Sequence, residues 1–346
     1  MSNGAGEKKE EAGLRPLEVG KLPERILKRS IVNTLSVKRK EVLVGSSVGE
    51  DCAAIEVADD EEIILSTDPI TGTAKDIGSL AVTITMNDLA SAGATPIGVM
   101  LTVLLPVGTT EQDVRKIMAD VNRECETANV QVIGGHTEVT AVVSQCVISV
   151  TGIAKVKKGH MISTGGAKPG MKFIATKWIG IEGTAIIAKE RSDELGAHFP
   201  QKLIEDAKAL DRYISVQKDG RIAAGHGAAA MHDVTEGGIY GALWEMAEAS
   251  GVGFEVDLSD IPIRQETVEI CEYYGIDPYR LISSGCMLIA APSEAVDDIT
   301  EALAAEGIPS SVIGSAVKGN DRIVHYDGET KYIEPPSSDE FHKVLG

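Results

Sequence analysis

The stretch Ile77-Gly78-Ser79-Leu80-Ala81-Val82-Thr83-Ile84-Thr85-Met86-Asn87-Asp88-Leu89-Ala90-Ser91-Ala92-Gly93-Ala94-Thr95-Pro96 carries the decisive pattern of this chain. Ile77, Leu80, Ala81 and Ile84 stand at i, i+3, i+4 and i+7, the spacing of one apolar helix face, which predicts a helix over 77–92. Continuing that stripe by three and four positions reaches Asn87 and Asp88. A polar pair placed where core-facing residues should continue is either satisfied by buried partners or directed into a site. Upstream, a turn-rich run from Gly45 to Asp51 precedes two strand-like segments, Ala53–Val57 and Ile63–Asp68, each with an acidic residue near one end. Further upstream, Ile26, Leu27, Ile31 and Leu35 predict one helix over 22–35, with Pro23 in its first turn and Lys21 at the junction before it.

Downstream, Thr109 with Gln112 reads as a capping box before Val114, Ile117, Met118, Val121 and Cys125, an ordinary core-packing helix. Strands are predicted at 130–133, 142–153 and 172–178, and the Gly/Lys-rich stretch from Lys155 to Gly170 between them marks a domain boundary. Beyond it, helices are expected at 201–210 and 238–250, the latter with Ile239, Leu243, Met246 and Ala247 on one face. Strands are expected at 253–256, 286–290 and 311–317, with Asp327-Gly328 turning a hairpin between 322–326 and 331–333. Both halves mix strands and helices, so the fold class is α+β or α/β in two related lobes. The expected organisation is a flexible tail over 1–20, where Gly, Lys and Glu dominate, a first domain over 21–158 and a second over 165–335.

At 346 residues the chain is long enough for two domains with substantial cores. A net charge of -19 opposes binding to nucleic-acid phosphate and to anionic lipid. No run approaches about 18 apolar residues and no apolar signal core opens the sequence, so a cytoplasmic protein is expected. Cys52, Cys125, Cys146, Cys271 and Cys286 are scattered with no C-x-x-C pair, and are expected to be reduced, buried and structural. His160, His198, His226 and His232 are too dispersed for a transition-metal set and are expected on loops or the surface.

The chemistry concentrates in acidic residues at predicted element ends: Asp51, Asp68, Asp88 and Asp233, each beside Gly or small residues. Magnesium takes oxygen ligands, and nucleotide phosphates need such metal bridges plus glycine backbone that approaches closely. Taken singly, each Asp equally suits a helix or turn cap. Neither a Walker-type Gly-x-x-x-x-Gly-Lys-Ser/Thr nor a Rossmann Gly-x-Gly-x-x-Gly is present. Instead, Gly134-Gly135-His136-Thr137 follows a strand, where glycine amides can face a ligand and His136 and Thr137 offer donors; a tight turn with a solvated His is the plainer reading.

Gly49-Glu50-Asp51-Cys52-Ala53-Ala54, Ser66-Thr67-Asp68, Asn87 to Pro96, Gly134 to Thr137, His232-Asp233-Val234-Thr235-Glu236-Gly237-Gly238 and Ser284-Gly285 occur in the order of the aminoimidazole ribonucleotide synthetase (PurM-like) superfamily, which this sequence resembles from about Lys21 to Ile333. Gly20-Lys21-Leu22-Pro23, Ile261-Pro262-Ile263 and Tyr274-Gly275-Ile276-Asp277-Pro278 resemble its HypE-like hydrogenase-maturation branch. The resemblance implies an α+β fold of two lobes, the first pairing across a homodimer into a shared β-barrel and the second an α/β sandwich. It implies ATP and magnesium as cofactors, with Asp51, Asp68, Asp88 and Asp233 on magnesium and phosphate. Lys21, Asn87, Gly134, Gly135 and Thr137 would join the nucleotide site, with Asp88 and His136 as the catalytic candidates. Members phosphorylate an amide-like or carboxylate oxygen, so a small-molecule or protein-borne acceptor is implied.

The sequence departs from the branch at its end, which reads Phe341-His342-Lys343-Val344-Leu345-Gly346 without a Pro-Arg-Ile-Cys tail, and at Gly135-His136-Thr137-Glu138 and Ser284-Gly285, where the branch has Gly-Asp-Thr-Lys and Glu-Gly. These departures lead us to expect a different acceptor on a retained magnesium-nucleotide site. The alternatives are a kinase resembling thiamine-monophosphate kinase and a non-catalytic ATP-binding scaffold. Selenophosphate synthetase fits less well, because that relative uses an N-terminal Cys or selenocysteine in a glycine-rich loop and the first cysteine here is Cys52.

Overall fold

A computed structural model describes residues 15–47, 49–71, 76–336 and 338–345. Most of the expected N-terminal tail, residues 1–14, and Val48 of the turn-rich run lie outside the described residues. The chain divides into two compact units, 1–89 with 95–159, and 90–94 with 160–346. Among the described residues no helix is long and apolar enough to cross a membrane.

The first unit contains β1 (Gly20–Lys21), α1 (Glu24–Ser30), β2 (Val42–Val44), β3 (Ala54–Ile55), β4 (Glu61–Ile70), α2 (Ile77–Ser91, whose last two residues count with the second unit), β5 (Thr95–Leu105), α3 (Glu111–Ala128), β6 (Gln131–Val139) and β7 (Val147–Lys157). Five strands form one open sheet in the order β1-β6-β5-β7-β4, with β5 and β6 parallel across α3 and the other pairs antiparallel. Alternation along β5 sets its two faces: Ile97, Val99, Leu101, Val103 and Leu105 are buried, whereas Met100 and Thr102 are exposed. A slip of one residue would turn that buried set outward, each side chain costing roughly 1.5–3 kcal/mol, so the pattern fixes the register. α2 packs against the sheet at Gly152, where an added Cβ would stand 2.6 Å from Thr85 Cγ2 and 2.9 Å from Leu89 Cδ1. α3 buries Val114, Met118, Val121 and Cys125.

Several local expectations change. The single helix over 22–35 stops at Ser30, because Ile31 leaves helical geometry (φ -124, ψ -75) before a 3-10 turn at Val32–Thr34. Ser30 donates to Glu111 there, and the adjacent β-branched Ile31 and Val32 do not favour continuation. The capping box is one residue later than read, Thr110 with Asp113, since Asp113 accepts from the Thr110 N–H and hydroxyl. α2 is buried on more than one stripe, with Val82, Met86, Asn87 and Leu89 fully covered. β6 runs to Val139, so the Gly134–Thr137 motif lies in a strand and not in a turn.

The second unit contains β8 (Lys172–Thr176), α4 (Ile181–Glu190), α5 (Ser192–Gly196), α6 (Gln201–Lys208), α7 (Gln217–Gly225), β9 (Ala230–Asp233), α8 (Gly238–Ser250), β10 (Gly253–Asp257), α9 (Gln265–Tyr274), β11 (Met287–Ala291), α10 (Val296–Ala305), β12 (Ser310–Val317), β13 (Arg322–Tyr326), β14 (Glu329–Tyr332) and α11 (His342–Leu345). Its seven-stranded sheet has the order β14-β13-β10-β12-β8-β11-β9, antiparallel except for β10 with β13. All five residues of β11 are buried, because both sheet faces are covered. On one face Phe173, Leu288 and Ala290 pack with Ile239, Leu243 and Met246 of α8. On the other, Ile174, Met287 and Ile289 pack with Ile222 of α7 and with Ile299 and Leu303 of α10. The hairpin at Asp327-Gly328 forms as read, both residues at positive φ.

Three cysteines, Cys125, Cys271 and Cys286, are buried, and desolvation pushes each thiol up to about 12, so they are inert core residues. Cys146 is half-buried and Cys52 is exposed, against the expectation that all five lie inside.

Candidate functional site

In the first unit a cavity of about 300 Å³ opens between α1 with its following turn, the loop after β2, and the strands β5 and β6. Its walls are apolar: Leu22, Leu27, Ile31 and Leu35 on one side, and Leu101, Val103, Val132 and Ile133 on the other. Its polar lining is Lys21, Ser46, Ser47, Glu50, Asp51, Cys52, His136 and Thr137. An apolar interior with a few convergent polar groups is the usual form of a small-molecule site.

The cavity gathers six of the residues singled out in the sequence: Lys21, Asp51, Gly134, Gly135, His136 and Thr137. Strand pairing explains this. β1 lies beside β6 with Lys21 opposite Glu138, and Leu22 donates its N–H to Thr137 O at 3.3 Å, so the N-terminal segment forms one wall. Ser46 Oγ donates to Val132 O at 2.8 Å and ties the loop carrying Asp51 to the same strand. Gly135 has φ +145, and a Cβ built on it would stand 2.1 Å from Leu101 O, so only glycine lets β6 run this close to β5. His136 Nε2 and Glu138 Oε2 are 3.2 Å apart on the exposed side of β6.

Asp68, Asn87, Asp88 and Asp233 do not line the cavity. Asp88 on α2 accepts a short hydrogen bond from Ser66 Oγ of β4. Asp68 alternates with Ser66 and is half-buried like it. Asn87 is fully buried. Asp233 ends β9 in the second unit, where Ser91 Oγ donates to Asp233 Oδ1 at 3.1 Å. Among the described residues no three of His, Cys, Asp or Glu form a group that would hold a metal ion unaided. Magnesium is commonly held by one or two carboxylates with water and substrate phosphate, a demand that needs no such group and that Asp51 at the cavity lining can meet in part.

Of the histidines expected on loops or the surface, His160, His198 and His226 are exposed, whereas His232 is a half-buried strand residue 2.8 Å from Glu245. Two residues of the second unit carried no sequence signal. Glu182 at the start of α4 is buried, and desolvation raises its carboxyl to about 7. Asp339 is also buried and accepts backbone N–H bonds from three segments. Neither belongs to a motif, and Asp339 is a hundred residues away from Gly237, one of its donors.

Comparison with known proteins agrees with this architecture. The AIR synthase related protein family matches in both halves, its N-terminal domain over residues 49–156 and its C-terminal domain over 168–327. A provisionally named hydrogenase expression/formation protein of Methanocaldococcus jannaschii is 30% identical over 312 residues, covering 88% of this chain and 90% of the relative. Carbamoyl dehydratase HypE of Rhodobacter capsulatus is 31% identical over 246 residues, 70% of each chain. The crystal structure of a hydrogenase maturation protein HypE in complex with ATP superposes with a TM-score of 0.78 at 19% identity, covering 94% of this chain and 97% of that one. With its PurM-like two-domain α+β fold and a resemblance to HypE, the chain belongs to the AIR synthase related family.

Proposed function

We propose that this chain binds ATP with magnesium in the cavity of its first unit and phosphorylates an amide- or carboxylate-type oxygen of a small-molecule or protein-borne acceptor. The observation that carries the reading is the meeting of Lys21, Asp51, Gly134, Gly135, His136 and Thr137 around one cavity with apolar walls. The apolar walls suit a nucleobase, and Lys21 with the glycine backbone suits phosphate at the polar lining. The likeness to carbamoyl dehydratase HypE and to the fold of a HypE solved with ATP supports the same nucleotide. The acceptor oxygen attacks the γ-phosphorus, the bond to the β-phosphate oxygen breaks, and ADP leaves. His136, backed by Glu138, takes the N–H proton that an amide acceptor loses as its oxygen attacks; a carboxylate acceptor attacks without giving up a proton. Asp51 of the cavity lining, with Asp68 and Asp88 of the same unit outside that lining, is assigned to magnesium and phosphate. Lys21 offsets the phosphate charge.

The domains of this proposal are 21–158 and 165–335; of the tail expected over 1–20, Leu17 donates its N–H to Thr109 O at 2.8 Å and Gly20 pairs with Val139, so its described end is held against the first unit. Among the described residues the first unit holds an open five-stranded sheet and no closed barrel. A shared barrel would form where two copies meet on the exposed face of that sheet, where Ile63 and Leu65 of β4 are 46% and 64% exposed. A second reading, nucleotide binding without turnover, draws on the engagement of Asp88 by Ser66 away from the cavity.

Calorimetric titration with ATP, with and without magnesium, followed by phosphate release with candidate acceptors, tests both readings. Magnesium-dependent ATP binding is expected, with no heat from magnesium alone, and Asp88→Asn should slow phosphate release by about 100-fold. Absence of ATP binding would end the proposal; binding with no turnover, whatever the acceptor, would favour the second reading.

A further inference from the structure

The last described stretch of the chain is fastened into the second unit by an unusual set of bonds. Asp339 is 3% exposed, and its carboxylate accepts three backbone N–H groups: Gly237 to Oδ2 at 2.7 Å, Ile282 to Oδ1 at 3.1 Å and Phe341 to Oδ1 at 2.8 Å. Gly237 is the N-cap of α8, where free N–H groups and the helix dipole favour a negative charge. Phe341 follows into the apolar cluster of Ile187, Leu195, Ile204, Ile270 and Leu281. Glu340 accepts from the Asp277 N–H at 3.3 Å and pairs with Lys343 at 2.6 Å, and Arg191 donates to Val344 O at 2.7 Å.

Glu182 lies in the same region. It is 4% exposed, and Ser284 turns its hydroxyl and N–H toward it, yet neither Glu182 Oε2 nor Ser284 Oγ reaches an aligned hydrogen bond. The next residue, Gly183, donates its N–H to Ile282 O at 3.1 Å, and the Ile282 N–H donates to Asp339 at 3.1 Å, so one residue links the Glu182 turn to the strap; the carboxyls of Asp339 and of Glu236, on the loop before α8, both oppose ionisation of Glu182. The other charged or titratable groups on or against the terminal stretch are Asp277, Arg280, Glu340 and Lys343, which act on one another, Arg191, which donates to Val344 O, and His342, whose ring stands 5.6 Å from that of Phe341.

We propose that residues 338–345 form a strap locked on the N-terminus of α8 while Glu182 is protonated, and released when Glu182 loses its proton beside Asp339. In the locked state a neutral Glu182 lets the Asp339 carboxylate sit in its N–H nest. Ionisation puts a second carboxylate into the buried region that already holds the Asp339 carboxylate in its nest, and water entry as the strap leaves relieves the repulsion. Burial raises the Glu182 carboxyl from 4.5 to about 7, which places the change at near-neutral pH. The sign follows: the folded pKa is raised, so docking is strongest below the unfolded value and weakens as pH climbs through the folded one. Strap release would uncover Gly237 and Gly238, which end the His232–Gly238 motif, whatever chemistry the first unit performs.

Hydrogen exchange of the full chain from pH 5.5 to 8.5 tests this, reading the Gly237, Ile282 and Phe341 amides. Base catalysis alone speeds exchange about tenfold per pH unit; the proposal predicts a further rise of several-fold, centred near pH 7, confined to these three amides and their strap neighbours. Glu182→Gln removes the extra rise and leaves the strap locked throughout. Asp339→Asn is the second variant: it removes the like charge that drives release, so the step near pH 7 is lost or moves to lower pH. An extra rise unchanged in Glu182→Gln, or no extra rise in the natural sequence, overturns the proposal. Should Glu182→Gln fail to fold, an unmoved step in Asp339→Asn overturns it equally.

Discussion

At the scale of single residues, Gly134 and Gly135 look interchangeable in sequence but are not in space. A methyl group on Gly134 would meet Met100 Cε at 3.1 Å, the free end of a flexible side chain. The same group on Gly135 would fall 2.1 Å from Leu101 O and 2.9 Å from Leu101 N, on backbone at φ +145 where side chains are strained. Gly135→Ala should therefore cost about 2–3 kcal/mol or more and distort the β5–β6 wall of the cavity, whereas Gly134→Ala should cost under about 1 kcal/mol. Denaturant unfolding of the two variants measures the difference, and equal losses would remove Gly135 from its special place in the strand. From the sequence the glycine pair reads as a place where backbone amides face a ligand, or as a tight turn. The sequence could not say that one strand closely approaches its parallel neighbour there, because that pairing joins residues on either side of α3.

At the scale of elements, α1 is fastened to α3 through one carboxylate. Glu111, 4% exposed, accepts from Arg29 Nε at 2.6 Å, from Ser30 Oγ at 2.8 Å and from Arg115 at 2.9 Å. Hydrogen bonding to Arg29, ahead of the opposing cost of burial, lowers its carboxyl from 4.5 to about 2. A lowered folded pKa means the stabilisation is complete above the unfolded value near 4.5 and lost as pH falls toward 2. Both arginines are half exposed, so solvent screening reduces the gain, and Glu111→Gln should cost about 1–2 kcal/mol at pH 7. Its unfolding free energy should also fall less steeply than that of the natural sequence between pH 4.5 and 2; parallel pH profiles would show that Glu111 does not carry this link. The α3 core stripe was legible because its apolar residues keep the helical period, but the capping box was misplaced by one, since Thr109 and Thr110 both stand three residues before a suitable partner. In the second unit α4, α7, α9 and α10 were missed: α4 buries Ile181, Gly183, Thr184, Ala185 and Ile187 on several sides, which blurs the period, whereas α10 does keep Val296, Ile299 and Leu303 at helical spacing. The acidic motifs were legible one by one, while their separation into the cavity-lining Asp51, the Ser66–Asp88 contact and the Ser91–Asp233 contact depends on pairings no local spacing encodes.

At the scale of the whole molecule, the open face of the first sheet and the cavity share residues, so the proposed pairing of two copies is expected to affect the proposed nucleotide binding. Pairing places Thr67 opposite Thr151, Thr151 opposite Met100, Met100 opposite Gly134 and Thr102 opposite His136, so the exposed row that begins at Leu65 and Thr67 crosses the sheet to the cavity lining. Leu65, at 64% exposure, makes too little contact within the chain to matter for folding. Leu65→Glu should thus leave the unfolding free energy within about 0.5 kcal/mol while adding a charge to an apolar interface, which strongly disfavours association. Each copy carries a net charge of -19, so two copies repel at low ionic strength, and any dimer of the natural chain must tighten as salt shortens the screening length to about 8–10 Å. Sedimentation at micromolar concentration should show a dimer that strengthens with salt and a Leu65→Glu monomer at every salt concentration. Because His136 and Gly134 stand in both places, the monomeric variant should bind ATP at least about tenfold more weakly, although Leu65 itself lies outside the cavity lining. A natural chain that stays monomeric would leave the open face without its proposed partner, and a monomeric Leu65→Glu with undiminished ATP affinity would show that one copy holds the whole nucleotide site.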